Sequence, residues 1–268
     1  MKNACKLHYG AGTSQYGVLY VPEGSGNYPL VVIFHGGFWK MPYDLDQMNP
    51  LAEGLTARGY AVWNVEYRRV GEPGGGWQGT FQDAAAAVDF LLQIAGKYSL
   101  DLARVAVIGH SAGGHLALWL ASRANKIGAD GMGSFLKLRP RGVISLAGVL
   151  DLRKMWDFDR TQGKDSSVAG LLGGSPEEFP ERYQAASPIE CLPMHIDQLL
   201  IHGALDQDVP LLLSQEYYRR AVEAKDNVQL AVIPQTDHFM LIDPHSVAWQ
   251  SVLSGLELKA VISQPHAL

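Results

Sequence analysis

The chain is predicted to form an α/β structure, a mostly parallel central sheet with helices on both faces and a small insertion near residues 150–192. Three observations predict it. Apolar runs such as Leu30-Val-Val-Ile-Phe34, Val105-Ala-Val-Ile108 and Gln198-Leu-Leu-Ile201 read as strands buried on both faces. Segments with helical spacing lie between them, and that alternation implies parallel pairing. The Val105 run also enters Gly109-His-Ser-Ala-Gly113 directly, and helix-forming sequence follows without a break.

Taken in order, Tyr16 to Pro22 reads as a short strand ending at the turn cluster Glu23-Gly-Ser-Gly-Asn27. The strand Leu30 to His35 breaks at Gly36-Gly37-Phe38-Trp39. A helix is expected from Asn49 to Arg58, closed by Gly59, and Tyr60 to Tyr67 is the next strand. Gly71 to Gly79 is a Gly- and Pro-rich loop. It matches G-x-G-x-x-G on paper but lacks the strand-to-turn junction of a dinucleotide site, so it reads as a loop near a site mouth. Phe81 to Lys97 is expected to be a helix, with Ala84, Val88, Leu91 and Leu92 on one stripe. The Arg104 to Ile108 strand, a helix from Ser111 to Asn125 and the strand Gly142 to Ala147 follow.

From Leu150 to Leu192 the rhythm breaks, and short helices are expected, one of them after a cap at Ser175 with Pro176 at its first position. This stretch reads as a cap-like insertion within a single domain spanning residues 1–268. The pattern resumes with the strand Gln198 to His202, a helix near Leu211 to Ala224, the strand Val228 to Ile233 and a last helix near Ser246 to Val261.

Composition narrows the function classes. A net charge of −5 with no basic run argues against nucleic acid or an anionic membrane as partner. Cys5 and Cys191 have no metal-ligand spacing, so neither a zinc site nor a disulfide framework is expected. The first residues lack an apolar signal-peptide core, and the expected location is cytoplasmic.

Gly109-His-Ser-Ala-Gly113 is the G-x-S-x-G elbow in its required strand–turn–helix context, which would lift the Ser111 hydroxyl above the sheet at a helix N-terminus. In open parallel sheets ligands bind beyond the carboxyl ends of the strands, and three further strand ends carry suggestive chemistry. Behind the Leu30 strand, His35-Gly36-Gly37-Phe38 looks like an oxyanion loop one glycine short of the H-G-G-G type. Its expected donors are the N–H groups of Gly37, Phe38 and Ala112, with His35 as a brace. Behind the Gln198 strand, Asp206 and Asp208 compete as an acid that would orient a base, and His202 reads as a hydrogen-bonded core residue. Behind the Val228 strand, His238 is the candidate general base, and His245 is its rival. The chain order Ser111, aspartate, His238 is that of nucleophile, acid and base in α/β hydrolases.

On these residues the sequence resembles the α/β-hydrolase superfamily over nearly its whole length. More narrowly it resembles the branch holding kynurenine formamidases (arylformamidases) and small carboxylesterases. His35-Gly-Gly-Phe-Trp39, Glu66-Tyr-Arg-Arg69, Gly109-His-Ser-Ala-Gly-Gly-His115, Ser187-Pro188 and His202-Gly-x-x-Asp206-x-x-Val-Pro210 carry that resemblance. It implies an α/β-hydrolase fold with Ser111, Asp206 and His238 as triad, and a serine hydrolase that acts through an acyl-enzyme and needs neither metal nor cofactor. The expected partner is a small-molecule ester or amide, namely a small or aromatic carboxylic ester or an aryl formamide. Trp39, Trp77, Trp156 and Phe158 are candidate pocket residues. The alternatives are a catalytically silent binding protein of the same fold and a small peptidase or amidase.

Overall fold

The computed structural model describes residues 4–123 and 136–258. Among them, eight strands form one sheet: β1 (Ala4–His8), β2 (Tyr16–Tyr20), β3 (Tyr28–Phe34), β4 (Ala61–Val65), β5 (Leu100–His110), β6 (Gly142–Leu146), β7 (Asp197–Gly203) and β8 (Val228–Ile233). Their spatial order is β1-β2-β4-β3-β5-β6-β7-β8. The pairs β1/β2 and β2/β4 are antiparallel and the rest parallel, the mostly parallel sheet expected from the alternation.

The continuous apolar runs are explained by burial on two faces. Leu30, Val32 and Phe34 enter one core cluster while Val31 and Ile33 enter another, and all five are fully buried. Helices α2 (Gly79–Asp89), α3 (Leu91–Tyr98), α4 (Ala112–Arg123) and α8 (Leu211–Glu223) contribute to the first cluster. Helices α1 (Asn49–Thr56) and α9 (Trp249–Leu258) contribute to the second. β3 is followed by β4 on one side, and the chain then crosses back to β5 on the other, so the strand order reverses between β3 and β5. A crevice beyond the strand ends is expected at such a switch point. His35-Gly36-Gly37 and Ser111 both leave the sheet there.

The structure departs from the sequence reading in several places. β1 was not expected. It is an edge strand of five residues whose inward Cys5 and Leu7 are only partly buried, so its period-2 signal is faint. The helix expected from Phe81 to Lys97 is two helices, α2 and α3, and the junction is tightened by a three-residue bond from Gln93 N–H to the Phe90 carbonyl. Ser175 does cap a turn: its hydroxyl accepts from Glu178 N–H while the Glu178 carboxylate accepts from Ser175 N–H. That box closes only one turn, and the helix α7 (Pro180–Ala186) starts later, at the next proline. With α5 (Leu152–Thr161) and α6 (Ser167–Leu172), α7 makes the 150–192 stretch helical. The expected helix ends at Asn125 and Val261 lie outside the described residues. No described helix is long and apolar enough to cross a membrane.

Candidate active site

Ser111 stands between β5 and α4 with φ of 55°, a left-handed conformation that costs an L-residue about 1–2 kcal/mol. The strain is held by the sheet: Ser111 N–H donates to the Leu146 carbonyl at 2.8 Å. α4 begins at the next residue, so its unsatisfied N–H groups and positive dipole end lie beside the serine hydroxyl.

The loop after β3 lies against this serine. A Cβ on Gly36 would sit 3.1 Å from Ser111 Cβ, closer than neighbouring side chains normally come. The next three residues, Gly37, Phe38 and Trp39, all have positive φ, at 93°, 56° and 57°. Left-handed backbone at two consecutive non-glycine residues persists only where the surroundings over-determine it. His35, fully buried, bonds the Gly36 carbonyl through Nδ1 at 2.7 Å and Glu66 through Nε2 at 2.9 Å, and its ring stacks on Tyr67 at 4.2 Å. Lys40 N–H donates to the Gly37 carbonyl and Val70 N–H to the Trp39 carbonyl. Among the described residues, the N–H groups of Gly37 and Phe38 donate to no protein acceptor. That of Ala112 opens a helix and has no partner within it.

The loops after β7 and β8 bring Asp206 and His238 together. His238 Nδ1 donates to Asp206 Oδ2 at 2.7 Å, and Asp206 Oδ1 accepts from the N–H groups of Asp208 and Val209, both at 2.9 Å. His202 Nε2, bonded to the Val209 carbonyl, also lies 3.4 Å from Asp206 Oδ2, while its Nδ1 meets the Ser214 hydroxyl. Burial pushes the Asp206 carboxyl up, but the bonds from His202, His238 and the Val209 N–H outweigh it and hold it well below the usual carboxylate range. Asp208 makes no such bond to the ring, and His245 lies exposed on the next turn. Asp206, Asp208 and His238 offer ligand atoms within 4.8 Å of one another, a spacing a metal ion could use. A cation held by Asp206 Oδ2 and His238 Nδ1 would have to displace the hydrogen bond between them.

Ser111 and His238 are brought together through a neighbour. His110 Nε2 donates to the His238 carbonyl at 3.0 Å, and the two rings pack with centroids 4.4 Å apart. Burial and the nearby His238 push His110 down to about 3, so it is neutral at pH 7. The Ser111 hydroxyl itself makes no hydrogen bond to the His238 ring in this arrangement; in enzymes without substrate, hydrogen bonds between catalytic groups are often long. His110 carried no signal in the sequence, because the second position of G-x-S-x-G accepts many residue types.

The four aromatic pocket candidates are engaged in packing contacts to different degrees. Trp39 is only 1% exposed, and its indole N–H is shared between the Ala112 carbonyl and His115 Nδ1. Trp77 packs edge-on to Phe81 and lies under the Arg182 guanidinium. Trp156 and Phe158 are on α5, where residues two apart point to opposite flanks, and Arg160 covers the Trp156 ring. Exposed apolar side chains flank the site. Phe239, 61% exposed, stands edge-on to the His238 ring; Leu205 adjoins Asp206; Tyr43 stands edge-on to Phe38. The sequence signal for these was their position one to five residues from a site residue, not their hydrophobicity.

Kynurenine formamidase of Danio rerio is 25% identical over 238 residues, covering 88% of this chain and 74% of the relative. Esterase EstD of Thermotoga maritima is 24% identical over 246 residues, 84% of this chain and 58% of its own length. A truncated carbohydrate esterase from gut microbiota superposes with a TM-score of 0.83 at 22% identity, covering 96% of this chain and 95% of that one, which shows the shared fold. The family model BD-FAE matches residues 18–220, a span that runs from β2 through most of α8 and holds the elbow, the loop after β3 and Asp206. The chain is a hydrolase of the α/β-hydrolase fold and belongs to the BD-FAE family.

Proposed function

We propose that the protein is a serine hydrolase that cleaves a small or aromatic carboxylic ester or an aryl formamide through an acyl-enzyme on Ser111. The observation that carries this reading is the 2.7 Å bond from His238 Nδ1 to Asp206 Oδ2 at the end of the sheet where Ser111 emerges. That bond fixes the ring tautomer with Nδ1 protonated, which leaves Nε2 free to accept a proton. His238 takes the Ser111 proton as the hydroxyl attacks the substrate carbonyl carbon, and Asp206 stabilises the imidazolium that forms. The tetrahedral oxyanion is received by the N–H groups of Gly37, Phe38 and Ala112. His238 then returns the proton to the leaving alcohol or amine, and water hydrolyses the acyl-enzyme by the same route.

Preorganised backbone donors suit this chemistry, because they need no reorientation as charge develops on the oxygen. The exposed Phe239, Leu205 and Tyr43 support an apolar or aromatic substrate portion at the mouth. The similarity to a kynurenine formamidase and to an esterase supports both an aryl formamide and an ester. A fluorophosphonate probe tests the nucleophile: the wild type is labelled at Ser111 and Ser111→Ala is not. Failure to label the wild type, under conditions that label a control hydrolase, overturns the reading. Kinetics on p-nitrophenyl esters of graded chain length, beside N-formylkynurenine, then separate the ester from the formamide preference.

A further inference from the structure

Behind the loop after β3 lies a hydrogen-bond chain that the reaction above does not use. Trp39 Nε1–H is shared between the Ala112 carbonyl and His115 Nδ1, both at 3.2 Å, and His115 Nε2 reaches the Ala186 carbonyl at 3.0 Å. Both side chains are buried, with their rings edge-on at 5.2 Å. The chemistry of the partners assigns every proton. An indole N–H can only donate, so His115 Nδ1 is a lone pair; a backbone carbonyl can only accept, so His115 Nε2 carries the hydrogen. His115 is therefore neutral, which agrees with burial pushing it down to about 4. Phe81 stands edge-on to the His115 ring at 5.7 Å and closes the space behind it.

From this geometry we infer that Trp39 and His115 are positioning residues for the oxyanion hole, and that they tie it to helix α7 of the 150–192 segment. Trp39 follows Phe38 directly and ends the run of three positive-φ residues. Its carbonyl is held by Val70 N–H, and its ring is pinned 73 residues away in sequence, on the first turn of α4. A residue fixed at both its backbone and its side chain cannot let the strained loop relax, so the Phe38 N–H keeps its direction. The same indole bond grips the carbonyl of Ala112, the residue expected to give another oxyanion donor. The two halves of the hole are thus joined by one shared N–H, and His115 extends the joint to Ala186. The inference rests on the oxyanion assignment proposed above.

The test uses a near-isosteric pair. His115→Asn places an amide oxygen where Nδ1 stands and keeps the acceptor for Trp39; His115→Leu has the same shape without it. With a p-nitrophenyl ester, His115→Leu should lose about 10- to 100-fold in kcat with KM within about twofold, a fraction of the 100- to 1,000-fold typical of losing an oxyanion donor outright. His115→Asn should recover most of that loss. Trp39→Phe, which keeps an aromatic ring but drops the N–H together with part of the buried indole volume, should lose at least as much as His115→Leu. Inhibition by a boronic acid, whose tetrahedral adduct presents an oxyanion, should weaken in step with kcat. Equal kcat for His115→Asn and His115→Leu in samples with the same folded fraction overturns the inference, whatever happens to Trp39→Phe. Fluorophosphonate labelling keeps the two claims separate. An unlabelled wild type sinks the serine mechanism, whereas a labelled wild type with no difference between the Asn and Leu variants sinks only the positioning chain.

Discussion

At the scale of single residues, the two aspartates differ in what each carboxylate touches. Asp206 gives one oxygen to His238 and the other to two backbone N–H groups, so it cannot rotate away without breaking three hydrogen bonds. Asp208 is half-buried and contributes its own N–H to hold Asp206 in place. Asp206→Asn is expected to lower kcat on the order of 10,000-fold, because the amide can present N–H to His238 Nδ1 and stabilise the wrong tautomer. Asp208→Asn keeps its backbone N–H and should stay within about tenfold of wild type. Steady-state kinetics of the two purified variants check this, and equal losses would overturn the assignment. The aromatic candidates show where residue-level reading stops. A tryptophan just past a strand can line a pocket or seal a core, and the sequence has no way to express that the Trp39 indole meets Ala112 and His115, 73 and 76 residues later.

At the scale of elements, strands and their ends were far more legible than the packing between loops. β3, β5 and β7 announce themselves because burial on both faces demands unbroken apolar runs, and the rule about strand ends then points to the loops holding His35, Ser111, Asp206 and His238. β1 escaped because an edge strand with one wet face needs few apolar residues, and the α2–α3 junction because a tightened turn leaves the helical period intact. How β7 meets the loop after β8 was equally hidden. A Cβ on Gly203 would lie 2.3 Å from the Thr236 carbonyl oxygen and 2.8 Å from that of Asp237, both backbone atoms that no rotamer change can move. Gly203→Ala should therefore displace the loop that carries His238. We expect a loss of about 1–3 kcal/mol in stability, the usual range for overpacking, together with a fall in kcat in the folded enzyme. Denaturant titration and kinetics on the same sample check both; an unshifted midpoint with wild-type kcat would show that the loop accommodates a methyl group.

At the scale of the molecule, the site is assembled where the order of the sheet reverses, and several of its groups are buried in a state that acid would change. His110 is held down to about 3 and His115 to about 4, both by burial first, against about 6.5 in an unfolded chain. Between about pH 6.5 and pH 4 the unfolded chain therefore binds protons on these two side chains that the folded chain refuses. More protons on the unfolded state means stability rises with pH, so it is complete above about 6.5 and falls as pH drops through this window. Each histidine contributes about 1.4 kcal/mol per pH unit once its unfolded form is fully protonated. Asp206, held below the usual carboxylate range, acts with the same sign at lower pH, where the unfolded carboxyl is protonated and the folded one is not. Urea titrations of the wild type from pH 6.5 to 4.5 should show the unfolding free energy declining with pH. His115→Asn, which no longer titrates there, should show a slope shallower by close to one proton. Parallel slopes for the two proteins would mean that His115 takes up its proton in the fold as readily as in the unfolded chain, and would remove the neutral imidazole on which the Trp39 bond depends.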